Sequence, residues 1–146
     1  MIQPIETIYK GYRFRSRLEA RWAVFFDTTG IKWEYEPEGY DIDGTWYLPD
    51  FRLETAWETL WLEIKPSRDI PNGELEKCAK FAAAVESTSC VWREVYLCRH
   101  LILAGNCGFG EYAFIDPLTG KSDDDFLWCE CPLCHRVHPA EVLWGE

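Results

Sequence analysis

The chain has no charged-then-apolar start, no apolar run of membrane length, no internal repeat and no low-complexity linker. The first two absences argue against export and against a membrane partner, so a cytoplasmic protein is expected. Basic residues are also scarce. Fifteen Lys and Arg face 25 Asp and Glu, a formal net charge of −10. Surfaces that bind phosphate are usually basic, so this balance weighs against a chain that coats nucleic acid. The charge is unevenly spread, however. Residues 1–32 hold six basic and three acidic side chains, and the rest hold 9 basic and 22 acidic. No second Cys-x-x-Cys exists, which excludes an ordinary two-knuckle zinc ribbon.

The 146 residues suffice for a sizeable core, and 47% hydrophobic content with eight tryptophans excludes a disordered chain. Residues 8–15 read as a short strand or arm. Ser16 opens a helix with Leu18, Trp22, Phe25, Phe26 and Thr29 on one face, and Gly30 stops it. Strands are expected at Ile31–Tyr35, at 40–43 with 45–53 as a hairpin around Asp43-Gly44, and at 60–65. Pro49 inside the hairpin's second arm implies an edge or a bulge. A helix over 73–86 buries Leu75, Cys78, Ala79, Ala82 and Val85, with Asn72 as its cap. Further strands are expected at Val91–Cys98, Leu101–Ala104 and Tyr112–Ile115, and Asp123-Asp124-Asp125 reads as a solvated loop. This order predicts an α/β protein around a mixed sheet.

The chemistry concentrates in two strand-like segments. Leu48-Pro49-Asp50-Phe51 carries one carboxylate, and Leu62-Glu63-Ile64-Lys65 carries another with a lysine two residues on. Side chains alternate along a strand, so Glu63 and Lys65 share one face while Leu62 and Ile64 face the other. If the segments pair, Asp50 sits beside Glu63. Two adjacent carboxylates repel unless a divalent cation lies between them. A lysine beside that cation is placed to orient or deprotonate water, which is the equipment of metal-dependent phosphodiester hydrolysis.

With Ser16-Arg17-Leu18-Glu19-Ala20-Arg21-Trp22-Ala23 ahead of these segments, roughly residues 10–100 resemble the PD-(D/E)XK nuclease superfamily. They are most similar to its small phage and mobile-element members and to nuclease subunits that cut transposon ends. The resemblance implies an αβββαβ restriction-endonuclease-like core, Mg²⁺ or Mn²⁺ dependence and hydrolysis of DNA. It implies Asp50 and Glu63 as metal ligands, joined by the Ile64 backbone carbonyl, with Lys65 positioning the attacking water. Glu19 matches a helix-one glutamate that holds a metal through water. Each residue also has a plainer reading. Asp50 and Glu63 could form a solvated strand face, Lys65 a salt bridge to Glu63, and Ser16-x-x-Glu19 a capping box. Glu36 and Glu38 flank a turn near the site.

Arg13, Arg15, Arg17 and Arg21 could hold phosphates or simply face solvent. The tryptophans could stack on unpaired bases, though core packing explains most of them. The tail holds Cys129, Cys131, Cys134 and His138. Seven cysteines in a chain without an export signal point to metal ligation rather than disulfides. A structural Zn²⁺ is expected on Cys131 and Cys134 with Cys129 and His138. His135 or Cys107 could replace either of the last two, and a reduced cluster without metal is the plain alternative.

The expected division is a nuclease-like domain over 1–122 and a zinc-binding extension over 123–146. The expected function is a metal-dependent DNA endonuclease. Its rival is a catalytically silent acidic protein on the same fold that binds a basic partner protein. Resolving a branched junction would require a homodimer.

Overall fold

A computed structural model of the protein describes residues 5–55, 58–87, 97–106, 112–120, 122–123, 126–130 and 137–141. In chain order the elements are β1 (Thr7–Tyr9), β2 (Tyr12–Phe14), α1 (Arg17–Thr28), β3 (Lys32–Tyr35), β4 (Tyr40–Ile42), β5 (Thr45–Tyr47) and β6 (Phe51–Glu54). They continue with β7 (Glu58–Lys65), α2 (Asn72–Ser87), β8 (Leu97–Gly105), β9 (Tyr112–Ile115), β10 (Ser122–Asp123), β11 (Phe126–Glu130) and β12 (Val137–Glu141). The protein is a mixed α/β fold. Its six-stranded sheet has the order β10-β9-β8-β7-β6-β3, with β7 and β8 parallel and the other neighbours antiparallel.

Local chemistry sets these boundaries. Ser16 caps α1 by accepting the Glu19 amide at 3.2 Å, and Gly30, at φ 74°, lets the chain leave the helix in the left-handed region. The arm at 8–15 is a hairpin, since Lys10 and Gly11 at φ 50° and 81° form its turn. The segment 45–53 is not one strand. Tyr47 ends the β4–β5 hairpin, and after Leu48-Pro49-Asp50 the chain enters the main sheet as β6. Proline has no N–H to give a ladder, so the change of sheet falls there.

β8 absorbs the expected short segment 101–104 into one strand from Leu97; most of the expected strand 91–98 lies outside the described residues. Arg99 and His100 break the apolar pattern, yet both are satisfied within the fold. Arg99 grips the buried Glu58 carboxylate through two nitrogens, and His100 meets the Trp61 carbonyl and the Tyr47 hydroxyl.

Alternation along β7 assigns a layer to each face of the sheet. Leu60, Leu62 and Ile64 pack with α1 residues Ala20, Trp22, Ala23 and Phe26. On the other face, Ile102 and Ala104 of β8 pack with Cys78 and Phe81 of α2. Trp128 of β11 joins the α1 side, with its ring 5.4 Å from Phe25, 5.7 Å from Phe26 and 5.3 Å from Phe114. Its amide donates to the Tyr112 hydroxyl at 3.3 Å. Among the described residues, no helix is long and apolar enough to cross a membrane.

Trp128, with Val137 of β12, therefore fixes the β11–β12 hairpin to the main core. Trp128→Ala should lower the unfolding free energy by about 2–4 kcal/mol, read as an earlier urea midpoint. An unchanged midpoint would show that the Trp128 contacts contribute nothing to the core.

Candidate active site

Asp50 stands where the chain enters β6. Its carbonyl accepts the Glu36 amide at 2.8 Å, which carries the β3–β6 ladder one step further. Phe51 pairs with Leu62, so the next pair outward is Asp50 with Glu63. The Asp50 carboxylate accepts the Ile64 amide at 2.8 Å. In a strand the N–H and C=O of one residue point to the same side, so the Ile64 carbonyl also faces the Asp50 side of β7.

Glu63 projects from β7 towards the α2 layer. It accepts the Tyr47 hydroxyl at 2.7 Å, and the Lys65 ammonium lies 3.5 Å from its other oxygen. Lys65 lies closer to Glu74, at 2.7 Å, in the first turn of α2. Glu19 approaches from α1 and is buried although charged. Its carboxylate accepts the Ser16 hydroxyl at 2.9 Å and the Tyr35 hydroxyl at 2.5 Å. Ser16 thus caps the helix while the Glu19 carboxylate is turned to Tyr35.

A cleft of about 210 Å³ opens beside these groups, lined by Arg15, Trp46, Tyr47, Leu48, Glu63, Lys65, Glu74, Lys77 and Cys78. Of the four candidate arginines, Arg15 alone lines it, paired with Glu36 at 2.8 Å. Arg13 pairs with Glu6 at 3.2 Å on the surface, and Arg17 and Arg21 are exposed on α1. Glu38 is exposed.

The electrostatics follow from burial. Desolvation, with the charges of Glu63 and Glu19, holds the Asp50 carboxyl well above the ordinary carboxylate range; the Ile64 amide and Lys65 offset part of this. Desolvation likewise raises Glu63 against the opposing Tyr47 and Lys65 contacts. Desolvation alone would lower Lys65. The Glu74 bond and the surrounding carboxylates outweigh it, so the lysine stays an ammonium. Desolvation and the Glu63 charge push the Cys78 thiol up to about 12, which leaves it inert.

Behind Glu63 lies a buried relay. His100 Nδ1 faces the Trp61 carbonyl at 2.9 Å, and a carbonyl can only accept, so that nitrogen carries the proton. Burial lowers the His100 pKa to about 4, so the ring is neutral at pH 7 and presents Nε2 as an acceptor to Tyr47 at 2.8 Å. One hydroxyl proton then serves two acceptors, unless Glu63 is itself protonated and donates to Tyr47. Ionising Glu63 turns the Tyr47 proton back to it.

Sequence reasoning missed Tyr35, Tyr47, Glu74 and His100. Only Glu74 left a signal, as an acidic residue in the first turn of a helix, which reads equally well as dipole compensation. In the tail, β11 and β12 set Cys129 directly opposite His138 in the ladder. Cys131, Cys134, His135 and Cys107 lie outside the described residues. Among the described residues, no group of three or more His, Cys, Asp and Glu side chains forms a ready-made metal cage.

Raised carboxyl pKa values mean that the folded state binds more protons than the unfolded chain, whose values are about 3.9 for Asp and 4.3 for Glu. The metal-free protein should therefore lose stability as pH rises from about 4 through the raised folded values. Asp50→Asn should raise the melting temperature in EDTA at pH 8 by a few degrees and flatten its pH dependence. An unchanged or lower value would show that the carboxylate is already neutralised by its neighbours.

No family model matches the sequence, and neither the curated proteins nor the solved structures contain a match to it.

Proposed function

We propose that this chain is a divalent-metal-dependent DNA endonuclease of the PD-(D/E)XK kind. Elements α1, β3, β6, β7, α2 and β8 supply the αβββαβ order of a restriction-endonuclease-like core, with the β4–β5 hairpin inserted. One observation carries the reading: Asp50 and Glu63 are brought together and partly buried beside Lys65, where both carboxyls resist ionisation. Burying two repelling carboxylates costs stability, and a cation between them removes that cost.

The donors fit Mg²⁺ or Mn²⁺. They are all oxygen, and Mg²⁺ keeps several waters and takes few protein ligands, so a complete side-chain cage is not needed. Asp50 and Glu63 would hold the ion with the Ile64 carbonyl, and Glu19 would reach it through water. When bound, such an ion polarises a phosphoryl oxygen and acidifies water. Lys65, held as an ammonium, places the attacking water and offsets charge developing on the phosphate; it is a poor base in this setting. Tyr47 and Tyr35 fix the orientation of the Glu63 and Glu19 carboxylates. Arg15 at the cleft meets a backbone phosphate, and Arg13, Arg17 and Arg21 extend the basic side toward DNA.

The net charge of −10 favours a second reading, an acidic protein that binds a basic partner as a charge mimic. The two readings separate by mutation. Linear, nicked and branched DNAs should be cut in Mg²⁺ or Mn²⁺ and left intact in EDTA, while Ca²⁺ binds without supporting turnover. Lys65→Ala should lower turnover by about 100-fold or more while the protein stays folded by circular dichroism. Asp50→Ala should lose metal affinity as well, and Glu19→Gln should lower activity without unfolding α1. Wild-type cleavage by both Asp50→Ala and Lys65→Ala would sink the nuclease reading in favour of the charge mimic.

The tail reading is a structural Zn²⁺ on Cys131 and Cys134 with Cys129 and His138, and it is supported by the Cys129–His138 register of the β11–β12 ladder. Purified protein should hold about one zinc per chain, lost in Cys131→Ser and Cys134→Ser and kept in Cys78→Ser. Zinc-free protein with Cys131 and Cys134 open to alkylation in the native state would refute the site.

A further inference from the structure

We infer that the β4–β5 hairpin presents Trp46 as a stacking platform for an unpaired base, so that the DNA taken by the cleft carries a single-stranded segment beside the scissile phosphate. The inference rests on the nuclease reading of the cleft and narrows it to a substrate class.

Trp46 is 65% exposed, whereas Trp22 is buried and Trp33, Trp61 and Trp128 are partly buried against the cores. Its exposure is built by the hairpin. Asp43 and Gly44, at φ 50° and 83°, form the tight turn, and the Asp41 carboxylate accepts the Gly44 amide at 2.9 Å. Tyr40 and Tyr47 each place a ring 5.1 Å from that of Phe81 on α2, and the Lys80 ammonium donates to Thr45 at 3.2 Å. Thr45 and Tyr47 thus tie one face of β5 to α2. Trp46, between them, takes the opposite face.

Gly39 completes the arrangement. A Cβ at that residue would lie 2.1 Å from the indole, so the six-membered ring occupies the space of a missing side chain. The ring packs against Gly39, which restricts it before any ligand arrives. Holding it in advance removes part of the ordering cost of binding.

The surroundings name the occupant. Trp46 lines the same cleft as Glu63 and Lys65, and Arg15 and Lys77 line it too. Glu63 and Glu74 line the cleft as well, and Arg15 is paired with Glu36, so Arg15 and Lys77 suit phosphates on either side of a stacked base by exchanging or adding to those contacts. A paired duplex keeps its base faces within its own stack, so the indole can take only a base that is already unpaired or has been turned out.

The test measures binding of a short fluorescein-labelled oligothymidylate and of a paired duplex of equal length, in Ca²⁺, followed by cleavage of both substrate types in Mg²⁺. The wild type should favour the single strand. That preference should fall about tenfold in Trp46→Ala and be largely kept in Trp46→Phe. Gly39→Ala, which displaces the ring, should reproduce part of the loss. Equal single-strand preference in wild type and Trp46→Ala overturns the inference, as does a change of oligomeric state in Trp46→Ala with unaltered DNA binding. A wild type that cuts no DNA yet binds oligothymidylate through Trp46 removes the nuclease reading and leaves the platform standing. Cleavage by the wild type with an identical substrate ratio in Trp46→Ala does the reverse.

Discussion

Asp50 and Glu63 repel each other in a half-buried site, and several surrounding contacts offset that repulsion. The Ile64 amide takes one carboxylate and the Tyr47 hydroxyl takes the other, while Lys65 supplies the nearby positive charge. These contacts moderate the penalty without removing it, because both carboxyls still titrate high. In the nuclease reading, a site left short of positive charge in this way would favour cations by electrostatics before any detail of coordination enters. On the same reading a bound divalent ion would reverse the local sign and let a strongly acidic chain approach DNA.

Two tyrosines divide the work of orientation. Tyr35 comes from an edge strand and holds Glu19; Tyr47 comes from the hairpin and holds Glu63. Each spends its hydroxyl on a carboxylate rather than on solvent, and the ring beneath belongs to a core. Tyr35 packs tilted on Phe14 with ring centres 4.5 Å apart, and Tyr47 packs on Phe81. The acid groups are thereby tied to apolar packing on both faces of the sheet, so a change in either core is felt at the site. Glu74 adds a third tie, holding Lys65 against the start of α2.

Much of this was legible in the chain. The cap at Ser16, the turn at Asp43-Gly44 and the split faces of β7 follow from local rules, and local rules are visible in sequence. The strand boundary at Pro49 was only half legible. A proline signals a break, but nothing local says that the chain changes sheets there. Tyr47 and His100 were not legible as site residues, because their partners lie far along the chain, and Glu74 reads as an ordinary acidic residue in the first turn of a helix. His100 in particular reads as an interruption of an apolar strand, and its meaning depends on a tyrosine 53 residues earlier. The tail's cysteine spacing is a local signal, whereas the role of Trp128 in the main core is a tertiary fact that no spacing announces.

The parallel pairing of β7 with β8 gives the molecule an order of assembly. Parallel neighbours cannot be joined by a tight turn, and here the return passes through α2. As the chain leaves the ribosome from its N-terminus, α1 emerges with Glu19, the entry to β6 with Asp50, and β7 with Glu63 and Lys65. The strand that covers the open edge of β7 comes later, and it brings His100, the support behind Tyr47. A nascent chain halted before Leu97 would hold every acidic group of the cleft without the strand that fixes them.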